Sequence, residues 1–118
     1  MYKNIILYLV YFCLYSLSFG QVDYSEIYDI FYSNCKDCHI DGNAGGLNLS
    51  SYDNLMMGNS NNGPVVIEGN GAESLIIKKL RGTASFGSQM PLGGTPLDES
   101  VISLIETWIK EGANSSDE

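Results

Sequence analysis

Beyond residue 20, apolar positions recur at helical spacing in four stretches, and no stretch alternates convincingly as a strand would. In the first, from about Tyr24 to Cys38, Ile27, Ile30, Phe31 and Cys35 share one face. Asp23 is placed to cap it, with Glu26 as capping-box partner. A short second helix is expected from about Ser51 to Met57, capped by Ser50, with Tyr52, Leu55 and Met56 inward. In the third, opened by Asn70, Glu73 lies in the first turn, Leu75, Ile76 and Leu80 form the apolar face, and Lys78, Lys79 and Arg81 precede Gly82. That charge order suits the helix dipole at both ends. The fourth follows Asp98: Val101, Ile102, Ile105, Trp108 and Ile109 repeat at i, i+1, i+4, i+7 and i+8 before Gly112. Its stripe needs a partner, and the first helix offers one, so the two terminal helices are expected to cross with Trp108 near the contact. The pattern predicts an all-α domain of about four helices joined by Gly-rich connections.

Residues 1–20 are of another kind. Lys3 precedes an apolar run from Ile5 to Leu17, and Ser18-Phe19-Gly20 sets small residues where a signal peptidase cuts, so cleavage is expected after Gly20. The run is shorter than the ~20 residues needed to span hydrocarbon. A retained anchor on the outer side of the cytoplasmic membrane is the alternative, and would bring membrane association. Residues 21–118 then make one small domain, too short for a second. Its charge is strongly acidic: five Lys or Arg against fourteen Asp or Glu, a formal −9. Nucleic acid is an improbable partner for such a surface. A partner with a basic docking face, met at a salt-sensitive rate, suits it better.

The chemistry concentrates in Cys35-Lys36-Asp37-Cys38-His39. Two thiols three apart followed at once by an imidazole are the attachment signature of a c-type haem. On a helix, positions i, i+3 and i+4 share one face, so both sulfurs reach the porphyrin edge while His39 reaches iron. A zinc site wants four ligands, and residues 21–118 hold no other Cys or His. A redox dithiol normally accompanies a β-α-β pattern, which is missing here. Export agrees with the motif, because haem is attached to it in bacteria outside the cytoplasmic membrane. A domain this small buries a modest share of its surface, so a single covalent haem would also complete its core, and haem-free protein should fold poorly.

The sixth iron position decides the function. With no second histidine, the soft candidates are Met56, Met57 and Met90. Met56 falls on the inner face of the short helix, where methionine usually fills gaps. Met90 stands instead in the loop Ser85-Phe86-Gly87-Ser88-Gln89-Met90-Pro91-Leu92-Gly93-Gly94, and His/Met is the common axial pair of cytochromes c. The loop could also leave Met90 exposed and the iron open. Leu47, Leu49, Val65, Val66 and Ile67 are candidates for the haem pocket.

Together, Asn34-Cys35-Lys36-Asp37-Cys38-His39, Gly46-Leu47-Asn48-Leu49-Ser50-Ser51-Tyr52, Met90-Pro91-Leu92-Gly93-Gly94 and Trp108-Ile109 resemble the small monohaem class I-type cytochrome c domains of bacteria. The resemblance spans nearly all of residues 21–118. It implies a cytochrome c-like fold around one covalent haem c, with Cys35 and Cys38 as thioether positions, His39 as proximal and Met90 as distal iron ligand. Gln89 departs from the basic residue of several relatives, which leaves Arg81 or Lys78 as expected neighbours of the propionates. The implied function is periplasmic or otherwise exported one-electron transfer between a redox donor and acceptor, with no enzymatic reaction. The alternative is a haem protein with an open or displaceable sixth ligand, acting as a gas or peroxide sensor or a peroxidase.

Overall fold

The computed structural model describes residues 21–58 and 60–116. The expected export segment, residues 1–20, lies outside them. Four α-helices, and no strand, occur among the described residues: α1 Tyr24–His39, α2 Tyr52–Met56, α3 Leu75–Arg81 and α4 Glu99–Lys110. A 3-10 turn, Ala44–Gly46, sits between α1 and α2. This is the all-α, cytochrome c-like architecture expected of the chain. No helix among the described residues is long and apolar enough to cross a membrane.

Asp23 caps α1 by accepting from the Ser25 amide at 2.9 Å, satisfying one of the N–H groups the first turn cannot pair. Two expected caps fall elsewhere. Helix α2 is capped by Ser51, whose hydroxyl accepts from the Asn54 amide at 3.1 Å, while Ser50 Oγ accepts from the Asn54 side chain. Asn70 caps only a turn, accepting from Glu73 N at 3.3 Å, and α3 starts after Ser74. The Ser74 side chain turns inward instead. Fully buried, its oxygen accepts from Ile67 N at 2.8 Å and donates to Asn70 O at 2.8 Å. Gly82 ends α3 with φ +74, a left-handed conformation that glycine adopts without steric cost.

Helices α1 and α4 pack against each other, as do α3 and α4. Ile27 and Phe31 of α1, Ile77 and Leu80 of α3, and Ile102, Ile105, Trp108 and Ile109 of α4 are all buried. Trp108 lies at the α1 contact, its ring centroid 5.5 Å from that of Tyr24. Both chain ends of the domain are tied to this pair. Val22 N donates to Glu111 at 3.1 Å, Ser116 Oγ to Asp23 at 2.6 Å, and the Trp108 indole N–H to Asn114 O at 2.9 Å. Arg81 joins α3 to α4 through ion pairs with Glu99 at 2.6 Å and Glu106 at 2.5 Å. The segment entering α3 closes on α4 as well, with Gly69 N donating to Ile109 O at 2.8 Å.

Candidate functional site

A cavity of about 590 Å³ opens beside the C-terminal half of α1, within the ~300–1,000 Å³ range of small-molecule and cofactor sites. Because α1 stays helical through His39, Cys35, Cys38 and His39 fall on one face, and all three line the cavity. Leu47, Leu49 and Val65 contribute apolar wall, as do Ile76 and Leu80 of α3. Met90 and Pro91 bring in the loop between α3 and α4.

The three chemical positions of the motif differ in environment. Cys35 is half-buried and Cys38 exposed. Burial first, and then the neighbouring Cys38, push the Cys35 thiol up to about 11, so at neutral pH it carries its proton. His39 Nδ1 lies 3.4 Å from the Leu47 carbonyl oxygen. With the proton on Nδ1, that contact orients the ring and leaves the Nε2 lone pair for a metal. The main chain supports the same arrangement, since Leu49 N donates to His39 O at 2.7 Å. Gly42 allows the chain to turn away closely behind the motif: a Cβ there would sit 2.9 Å from Cys38 O.

The methionines separate clearly. Met56 packs against the core and Met57 is 69% exposed, neither lining the cavity. Met90 does line it, and its amide donates to Lys79 O at 2.9 Å. Of the five pocket candidates, Leu47, Leu49 and Val65 lie in the wall, whereas Val66 does not and Ile67 is 41% exposed. The run Val65-Val66-Ile67 is irregular, with a bend at Val65, and one of the three side chains lies in the wall.

Arg81 and Lys78, expected beside the propionates, are engaged elsewhere. Arg81 is held by Glu99 and Glu106, Lys78 by Glu73 at 2.9 Å, and neither lines the cavity. Lys36 and Lys79 line it instead. Lys36 pairs with Asp41 at 2.5 Å, and that hydrogen bond and charge hold its ammonium above the ordinary lysine range. Lys79 follows Leu75 and Ile76 at i+4 and i+3 on α3, a spacing that marks it as pocket-facing. Leu97, just before α4, is a wall residue with no such periodic signal. A separate polar recess of about 470 Å³ is lined by Asn43, Gly46, Asn48, Gly58, Ser60 and Asn61, with no thiol, imidazole or thioether among them.

Two thiols, an imidazole and a thioether around one apolar cavity are a donor set that fits a haem. Comparison with known families agrees. Residues 35–91 match the family model described as Planctomycete cytochrome C. The match runs from Cys35 to Pro91, a little under half the chain, and supports a cytochrome c-type, haem-binding domain. No curated protein and no solved structure matches the chain. The matched stretch takes in the end of α1 with Cys35, Cys38 and His39, the α3 residues Ile76 and Leu80, and Met90, all of which line the cavity, whereas α2 within it contributes no wall residue.

Proposed function

We propose that residues 21–118 form an exported monohaem c-type cytochrome that carries single electrons between a redox donor and acceptor, its iron held by His39 and Met90. Cys35 and Cys38 are the positions of two thioether bonds to the one haem. The observation that carries this reading is that Met90 is the one methionine of the described residues to line the cavity holding Cys35, Cys38 and His39.

Bound haem supplies a reversible one-electron iron couple. The protein's part is to hold it in place and to tune it. His39 and Met90 fix two protein ligands, so the coordination changes little on electron transfer. The Met90 thioether is a soft donor that favours reduced iron, and the apolar wall of Leu47, Leu49, Val65 and Leu80 disfavours added positive charge. Both effects raise the potential. With His39 and Met90 both on iron, no coordination position would be left for a substrate, so the protein is read as a carrier rather than an enzyme. The acidic balance of residues 21–118 favours partners with a basic docking face, and residues 1–20 favour a site of action outside the cytoplasm, either released or anchored to the outer side of the membrane.

The test is the absorption spectrum of the haem-loaded ferric protein. A weak red-edge band from sulfur-to-iron charge transfer is expected, and Met90→Ala should abolish it. A high-spin spectrum without that band would replace the carrier with an open-iron sensor or peroxidase. Haem attachment is checked separately: acidified organic solvent should leave the haem on the wild-type chain and extract it from the Cys35→Ser/Cys38→Ser double variant.

A further inference from the structure

We propose that Lys79 is a positioning residue for Met90, its ammonium group tying down the loop that presents the thioether. This rests on the reading of Met90 as the second iron ligand.

The loop from Thr83 to Gln89 has no buried side chain among its residues, so burial of apolar surface gives it little reason to stay closed over the cavity. Polar contacts to the end of α3 do that instead. Lys79 Nζ donates to the carbonyl oxygens of Phe86 at 3.1 Å and Ser88 at 2.5 Å, and lies 5.1 Å from the centre of the Phe86 ring. The carbonyl of the same lysine accepts from Met90 N at 2.9 Å, and that of Leu80 accepts from Gln89 Nε2 at 2.9 Å. Four hydrogen bonds, two donated by Lys79 and two by the loop, thus join residues 86–90 to two consecutive residues of one helix.

The arrangement is reciprocal. The last carbonyls of a helix lack intrahelical donors, and here Met90 and Gln89 provide them, so the ligand loop serves as part of the cap of α3. A cation near a helix C-terminus is favoured by the dipole, and its bonds to two carbonyls are charge-assisted. Gly82 lets the loop close tightly: a Cβ there would lie 2.9 Å from the Gln89 side chain. Lys79 therefore holds the chain leading into Met90 at three points, its main chain at Met90 N and its side chain at the Phe86 and Ser88 carbonyls. The side chain of Lys78, the adjacent cation, pairs with Glu73, and its carbonyl reaches the loop only at Thr83, seven residues before Met90.

The experiment compares haem-loaded wild type with Lys79→Leu, Lys79→Arg and Lys78→Leu by three readouts: the ferric red-edge band, carbon monoxide uptake by the ferrous form, and amide hydrogen exchange at residues 86–90. In Lys79→Leu, exchange at Met90 should speed up by about tenfold, the equivalent of one charge-assisted hydrogen bond, with a weakened band and faster carbon monoxide uptake. Lys79→Arg should recover most of both, and Lys78→Leu should match wild type. Lys79→Gln serves if the leucine variant folds poorly. A wild-type band that persists unchanged in Lys79→Leu, with unchanged loop exchange and only a shifted midpoint potential, would overturn the proposal and leave Lys79 a mere charge beside the haem. A wild type with no such band would overturn the Met90 reading itself, and this proposal with it.

Discussion

The phenolic hydroxyl of Tyr52 donates to the carbonyl oxygen of Ala113 at 2.8 Å, joining residues 61 apart in the chain. It fastens the short helix α2 to the turn that follows α4, where Ala113 is fully buried with φ +52. Tyr52→Phe keeps the ring packed edge-on against Tyr24 and removes only the hydroxyl. Denaturant unfolding should show a loss of about 1 kcal/mol, with the haem spectrum unchanged.

Gly71 is required by proximity rather than by its backbone angle. A Cβ at this position would lie 2.7 Å from the main-chain oxygen of Glu106 and 2.6 Å from its side chain. The side chain could swing aside, but the main chain of α4 would have to shift. Gly71→Ala should cost about 1–3 kcal/mol in thermal or denaturant unfolding, and the disturbance should reach the Arg81–Glu106 pair.

Tyr24 makes alkaline stability a readout of packing. Its hydroxyl is buried without a hydrogen-bond partner among the described residues, and burial, followed by Tyr28 and Tyr52, pushes the phenol from 10.0 up to about 12. Between these values the unfolded chain has released a proton that the folded one retains, so stability falls as pH rises through the window, by roughly 2–3 kcal/mol. Below about pH 10 the contribution is fully present. Tyr24→Phe should flatten the decline and cost little at neutral pH, which unfolding midpoints measured across the window will check.

Removing the haem should loosen the whole domain. Leu47, Leu49, Val65, Ile76 and Leu80 all line the cavity, and a porphyrin would add its own apolar face to the core they help form. Calorimetry of haem-free protein should give a broader, lower-temperature transition than the loaded form. An equally sharp transition at the same temperature would show that α1, α3 and α4 suffice by themselves.

Much of this was legible in the sequence because the signals were local. The spacing of Cys35, Cys38 and His39, the stripe from Val101 to Ile109, the cap at Asp23 and the stop at Gly82 each depend on a few neighbouring residues. Where two local solutions competed, the tertiary structure chose. Ser51 took the cap from Ser50, and Ser74 went inward to bind the Ile67 and Asn70 backbone, delaying α3 beyond Asn70. Pocket assignments were harder. Val65, Val66 and Ile67 look alike in sequence, and only the path of an irregular segment decides which one meets the cavity. Lys78, Lys79 and Arg81 likewise form one basic cluster in sequence but separate on the helix: Glu73 takes the first, the ligand loop the second, and Glu99 with Glu106 the third.

The chain's single tryptophan, Trp108, is buried between α1 and α4. In a domain this small a haem lies close enough to drain its excited state, so the loaded protein should be almost dark under ultraviolet excitation. Light returns when the helices part or the haem is missing. The same side chain that closes the core thus equips the protein with an internal lamp for watching it assemble.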